Sequence, residues 1–264
     1  MEIKRGTLIA AAMAGALGAG VVSAHAEEPE KQEVRMTRKT RGGRILVFDV
    51  NETLLDIEVL NPFFGRAFGD PRVMRQWFAE LILYSEALSL SGAYTEFGKL
   101  AVAVLNMVAK IRHVALEDRD INDFVDIMRS LPPHPEVPEA LERLRSAGFR
   151  MATLTNSAPQ PGKALLDKAG LSHYFERQFS VDVVKRYKPS RQTYGLVATE
   201  LEVEPGMLRL VAAHTWDTLG AMAAGYRAAL VTRPGNATLL IGAQPDIVEP
   251  DLLAVAGRIV SLDD

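Results

Sequence analysis

The run Ile45 to Val50, ILVFDV, is apolar at every position except Asp49. A strand with one wet face alternates apolar and polar residues, whereas a strand covered on both faces does not. This run therefore demands layers on both sides, and the rest of the chain supplies them. Beyond residue 137, amphipathic stretches and apolar runs take turns: EALERLRSAG, FRMATLTNS, PGKALLDKAG, QFSVDVV, SRQTYGLVATEL, MLRLVAA, WDTLGAMAAG and RAALVTR. The rhythm predicts an α/β fold, a doubly wound parallel sheet of Rossmann-like layout. Gly148 is placed to end the first of these helices.

Between the first run and this alternation the pattern changes. Apolar residues recur every three to four positions in RVMRQWFAELILYSEAL, in YTEFGKLAVAVLNMVAKI and in INDFVDIMRSL. The spacing predicts a helical unit over 58–131, inserted into an α/β core made of 44–57 and 132–264. It stops at LPPHPEVP, whose prolines at 132, 133, 135 and 138 cannot continue a helix. Residues 27–43 are charged, interrupted by Pro and Gly and without periodicity, and are expected to form a solvated arm. Ahead of them Lys4 and Arg5, an uncharged run from Thr7 to Ala24 and the sequence Ala24-His25-Ala26 have the layout of a secretory signal peptide over 1–26. Cleavage before Glu27 and export to a periplasm are the expectation. No later segment reaches the roughly 18 uncharged apolar residues of a membrane span.

Composition removes other classes. The net charge is −3 with no basic block, which argues against nucleic-acid partners, because phosphate neutralisation needs clustered Lys and Arg. At 48% apolar the chain is far from a disordered composition. It has no cysteine, so neither disulfides nor thiol chemistry is available.

Ligands of open α/β sheets bind beyond the carboxyl ends of the strands. The polar residues just past each apolar run are Asp49 and Thr53, then Thr155, Asn156 and Ser157, then Lys185, Arg186 and Lys188, and lastly His214, Thr215 and Asp217. Asp49 is either a cap for the next turn or a reactive group. Lys188 precedes Pro189 and is thereby biased to extended backbone. A lysine there would keep a buried carboxylate ionised, and an ionised, partly desolvated carboxylate is a competent nucleophile.

FDVNETLLD, TLTNS, YKPSRQTY and AAHTWD, in that order, resemble the four motifs of the haloacid dehalogenase superfamily. More narrowly they resemble the L-2-haloacid dehalogenases (type II), from about Arg44 to Arg233. The resemblance implies a haloacid dehalogenase core under a helical cap, with Asp49 forming a covalent ester with the substrate. It implies that Asp217, helped by His214 or Lys188, orients or deprotonates water. Thr53 and Thr155 would hold the substrate carboxylate or the Asp49 oxygens, and Tyr194 would position Asp49 or the lysine. Arg75, in VMRQWFAEL, and Asn156 would receive the halide, though Arg75 is otherwise an ordinary exposed arginine. Phe97 and Trp216 are substrate-binding aromatics or members of the core. No metal and no cofactor are implied; a homodimer through cap helices is, and the stretch 99–111 either serves that interface or forms the cap's own core.

Four departures from that pattern stand out: Asn51-Glu52 for Tyr-Gly, Thr155 for Ser, Ala212 for Ser, and His214 for Asn. The superfamily's phosphatases carry a second Asp two residues after the nucleophile; Asn51 cannot protonate a leaving alcohol, but a halide needs no proton. The reading this supports is hydrolysis of short 2-haloalkanoic acids, of the L enantiomer, to 2-hydroxy acids with inversion. The alternatives are a phosphate-ester hydrolase and a non-catalytic periplasmic binding protein on the same fold.

Overall fold

In the computed structural model the described residues are 45–263. The leader and arm expected over 1–43 lie outside them. Six strands form one wholly parallel sheet: β1 (Ile45–Phe48), β2 (Arg150–Thr155), β3 (Arg177–Ser180), β4 (Leu208–Ala212), β5 (Arg227–Val231) and β6 (Ile247–Glu249). Their order is β3-β2-β1-β4-β5-β6, the doubly wound arrangement the alternation predicted. β1 is central, and none of its residues is more than 5% exposed, as an unbroken apolar run requires. The order reverses between β1 and β4, which opens a crevice at their carboxyl ends. Asp49 N–H donates to Val211 O there at 3.1 Å, so the residue after β1 is still clamped to β4.

Four helices intervene between β1 and β2 before the chain returns: α1 (Asn61–Phe68), α2 (Val73–Ser91), α3 (Phe97–Ile111) and α4 (Asp118–Met128). The outgoing and incoming segments run side by side. Asp56 N–H donates to Pro132 O at 2.8 Å, and His134 N–H to Leu54 O at 3.0 Å. Trp77 on α2 meets Phe64 of α1 and Phe124 of α4, and its Nε1 donates to Ala101 O of α3 at 3.0 Å. Truncating the buried Phe124 to Ala should cost about 3–5 kcal/mol, because these helices share that one ring cluster.

The helices α5 (Val137–Ser146), α6 (Pro159–Lys168), α7 (Arg191–Glu200), α8 (Thr215–Ala223) and α9 (Leu252–Asp263) cover the sheet. Two details differ from the sequence expectation. QFSVDVV is a strand only as far as Ser180, whose Oγ accepts Asp182 N–H at 3.1 Å and turns Val181–Val183 into a 3₁₀ segment. The sheet also continues past RAALVTR into β6, and α9 buries Leu252, Val255, Ala256 and Ile259 beside it.

Candidate active site

The loops after β1, β2, β3 and β4 converge on Asp49. After Asp49 the chain folds back at once, with Leu54 N–H donating to Val50 O at 2.9 Å. That turn aims Thr53 back at the strand end: its hydroxyl donates to Asp49 Oδ2 at 2.7 Å and accepts Ala213 N–H at 2.8 Å. Lys188 enters from the loop between β3 and α7, its own N–H bound to Asn156 Oδ1 at 3.1 Å. Its ammonium donates to Asp49 Oδ1 at 2.7 Å, Asp217 Oδ2 at 2.6 Å and Leu154 O at 3.1 Å, and so has all three protons placed. Tyr194 OH donates to Asp217 Oδ1 at 2.6 Å. α8 comes this close because of Gly220: a Cβ there would stand 2.4 Å from Pro189 Cβ and 2.7 Å from the Tyr194 hydroxyl.

Burial by itself would raise the Asp49 carboxyl, but the charge of Lys188, with help from His214, outweighs it and holds Asp49 well below the usual range. Lys188 is buried, which disfavours its charge, yet Asp217 and Asp49 hold it above its ordinary value. Asp217 goes the other way. Burial raises it, Lys188 pulls it down, and the neighbouring Asp49 charge adds to the rise. The protein therefore maintains an anion at Asp49 and leaves Asp217 the weaker acid of the pair.

A second set of charges lies on the other flank. His214 Nδ1 stands 3.3 Å from Asp49 Oδ2, and its Nε2 is 2.7 Å from Glu52 Oε2. The ring stacks on Trp216 with centroids 5.0 Å apart and planes inclined by 19°, and Phe78 lies 5.5 Å away. Burial pushes the imidazole down, but the carboxylates of Asp49 and Glu52, each beside one ring nitrogen, push it up further, to about 9. Glu52 is itself buried, with a left-handed φ of +65°. Burial would raise its carboxyl; His214 and Arg75 hold it below its ordinary value. Arg75 bonds to the carboxylates of Glu52 and Glu58 and donates to Pro234 O at 2.8 Å.

Asp49, Asn51, Phe78, Ile82, Phe97, Thr155, Asn156, His214 and Trp216 line a narrow pocket. A cavity of about 540 Å³, walled by α3, α4 and the start of α6, shares Asn51 and Phe97 with it. The expected residues are thus mostly gathered here, with three differences of placement. Arg75 does not line the pocket: a carboxylate stands at position 52, and Arg75 is committed to it. Tyr194 contacts Asp217 rather than Asp49 or Lys188. Asp217 is wholly buried behind the lysine, with both oxygens accepting, and does not face the pocket. Sequence reasoning missed the role of Glu52. Its signal was present, because Glu52 and His214 both depart from the family pattern and each is the other's partner.

Among the described residues no three His, Cys, Asp or Glu side chains gather as a metal site. All four oxygens of Asp49 and Asp217 already accept hydrogen bonds, and the Lys188 ammonium stands between the two carboxylates, where a cation would bridge them. That donor set does not fit the octahedral oxygen shell of Mg²⁺.

A family model described as haloacid dehalogenase-like hydrolase matches residues 44–225. The chain is 31% identical over 211 residues to (S)-2-haloacid dehalogenase 2 of Pseudomonas sp. (strain CBS-3), covering 78% of this chain and 90% of that one. It is 29% identical over 212 residues to the (S)-2-haloacid dehalogenase of Pseudomonas sp. (strain YL), covering 80% and 91%. The structure of L-2-haloacid dehalogenase from Xanthobacter autotrophicus matches with a TM-score of 0.76 at 25% identity, over 83% of this chain and 98% of that one.

Proposed function

The chain belongs to the haloacid dehalogenase-like hydrolases, and from that premise we propose that it hydrolyses the carbon–halogen bond of short 2-haloalkanoic acids, giving 2-hydroxy acids. The observation that carries this is a carboxylate kept ionised by a buried lysine at the head of a largely apolar pocket. Oxygen of Asp49 attacks C2 from the side opposite the halogen, and the halide departs with the bonding electrons. Water then adds to Cγ of the resulting ester, and the acid leaves with C2 inverted.

Lys188 and Thr53 orient the nucleophile and limit its rotation. With Asn156 Oδ1 taken by the lysine N–H, its amide donor is available to the halide, beside Phe97 and Trp216. The 2-halo acid named for the curated relatives supplies the substrate class, and preference for the L enantiomer comes with it. We read helices α1 to α4 as a cap over Asp49. A phosphate-ester hydrolase on this fold is disfavoured by Asn51 and by the donor set around Lys188.

The test is chloride release from 2-chloropropionate in EDTA. Release should persist, and Asp49→Asn should abolish it; undiminished turnover in that variant would remove the covalent route.

Two further readings concern export and assembly. The charged start, apolar run and Ala-His-Ala of residues 1–26 support export to a periplasm, which N-terminal sequencing of the mature protein would check by finding Glu27 first. Homodimerisation is supported by Leu83, Tyr84 and Leu90, exposed along α2, whereas Leu100, Val104, Leu105 and Val108 of the 99–111 stretch are spent inside the chain's own core. Sedimentation equilibrium distinguishes one copy from two.

A further inference from the structure

Glu52 carries two costs that a structural residue has no reason to bear. An L side chain at φ +65° is disfavoured, and a buried carboxylate must give up its hydration. Its backbone bonds, to Leu55 O and from His134 Nε2, would be available to a glycine, which suits this φ. What only glutamate supplies is a carboxylate on His214 Nε2, steadied on its other side by Arg75.

That bond decides which nitrogen of His214 is free. With Nε2–H donated to Glu52, a neutral imidazole keeps its proton on Nε2 and turns the Nδ1 lone pair toward Asp49, 3.3 Å away. Nδ1 is buried and has no well-formed hydrogen bond. Of the side chains lining the pocket, only Asp49 and His214 are ionisable acids or bases. Asp217, the other candidate for the base, is sealed behind Lys188. His214 is also badly placed to receive the halide, since it lies against the Asp49 carboxylate and the halide leaves from the side of carbon opposite that carboxylate.

We propose that Glu52 is a positioning residue for ester hydrolysis, holding His214 so that His214 Nδ1, rather than Asp217, takes the proton of the attacking water. The proposal rests on the dehalogenase reading and assigns its second step. In the free enzyme two carboxylates, Asp49 and Glu52, hold the imidazolium. Alkylation neutralises Asp49, and with one of the two gone the imidazolium loses its Nδ1 proton to solvent; this is the one proton the net reaction releases with halide. Water then adds to Cγ of the ester as Nδ1 takes its proton. The bond from Cγ to the substrate oxygen breaks, and the departing alkoxide recovers that proton as the 2-hydroxy acid. The new Asp49 carboxylic acid returns its proton to His214, which restores the starting charges.

The experiment compares wild type, Glu52→Gln and Glu52→Gly with enzyme in excess over 2-chloropropionate. It follows chloride, 2-hydroxypropionate and the mass of the intact protein. Both variants should release chloride within about threefold of the wild-type rate but form hydroxy acid about a hundredfold more slowly, the range a lost general base accounts for. A protein species heavier by the propionate ester should accumulate, mapping to Asp49. Glu52→Gly should keep the wild-type circular dichroism spectrum, because +65° is open to glycine, and so separates the effect from misfolding. Equal slowing of both steps, or wild-type turnover with no adduct, overturns the role of Glu52. Absence of chloride release from the wild type overturns the dehalogenase reading, and this step with it.

Discussion

Two charged clusters meet at Asp49, and they are built by different means. On one side Lys188, Asp217 and Tyr194 are fully buried, and each comes from the end of a strand or the loop and helix that follow it. On the other, Glu52, His214 and Arg75 join a backward turn, the loop after β4 and helix α2, and Arg75 keeps about a third of its side chain in water. The first cluster is closed: every lysine proton and every carboxylate oxygen has a partner. The second is open toward the pocket through His214 Nδ1. A closed cluster fixes one protonation state, whereas an open one can change state when its neighbour does. The nucleophile needs the former and the proton transfer needs the latter, which is why a single residue serves both only by touching both.

Breaking the closed side should have the largest consequence. Lys188→Met leaves Asp49 and Asp217 buried together without a cation, and removing one partner of a buried ion pair costs about 3–5 kcal/mol. Asp217, the weaker acid, will then hold a proton, and Asp49 loses the ammonium that orients it and favours its charge. Urea denaturation should show that loss, and chloride release should fall about a thousandfold, equivalent to ~4 kcal/mol at the transition state. A variant that stays stable and active would mean that Lys188 does not keep Asp49 ionised.

The open side should reveal itself through pH. His214 is raised from 6.5 to about 9 on folding, so its contribution to stability is complete below about pH 6.5 and disappears as pH climbs through 9. Asp49 and Glu52 are depressed, and their contribution is lost in acid, as pH falls below the ordinary carboxylate range. Between pH 6 and 9.5 the urea-derived stability of the wild type should drop by about 3 kcal/mol, the equivalent of that rise at 1.36 kcal/mol per unit. His214→Asn should remove most of the slope in that window. An unchanged slope would place the titration elsewhere.

The contrast also explains what could be read from the chain alone. Strand ends are legible: an unbroken run such as ILVF must be covered on both faces, and the polar residue after it must sit at the sheet's edge. Asp49, Thr155, Asn156 and Asp217 follow from that rule, and the motif spacing gathers Lys188 with them. Glu52 does not follow from it, because its φ is set by the way the chain doubles back and its partner arrives from 162 residues away. Arg75 was legible as a residue but not as a contact, since its destination depends on whether position 52 carries a side chain. β6 escaped because three residues at a sheet edge show no period. α9 had the spacing of Leu252, Val255, Ala256 and Ile259 in plain view and could have been found.

A smaller effect is expected from Tyr194→Phe, which sharpens the closed side without opening it. The substitution keeps the packed ring and removes the donor to Asp217 Oδ1. Leaving a buried acceptor unsatisfied costs about 2 kcal/mol. Because Asp217 is set back from the pocket, chloride release should change by less than about tenfold, or ~1.4 kcal/mol. A much larger loss of activity at the same stability would bring Asp217 back as the base and weaken the case for His214.

The smallest change should come from Arg75→Ala, and it tests the open side where it meets solvent. A halide-receiving arginine would have to abandon Glu52, Glu58 and Pro234 O to reach the pocket. If it stays with them, its removal costs about 1 kcal/mol of stability, because the pair is partly hydrated and Glu52 keeps His214. Single-turnover chloride release should then slow by less than about threefold, or under ~1 kcal/mol, while hydroxy-acid formation slows more, as Glu52 loses the charge that steadies it. A loss confined to chloride release, and as large as about a hundredfold, would show that Arg75 lets go of both carboxylates when substrate binds. The two flanks of Asp49 would then differ in mobility as well as in charge.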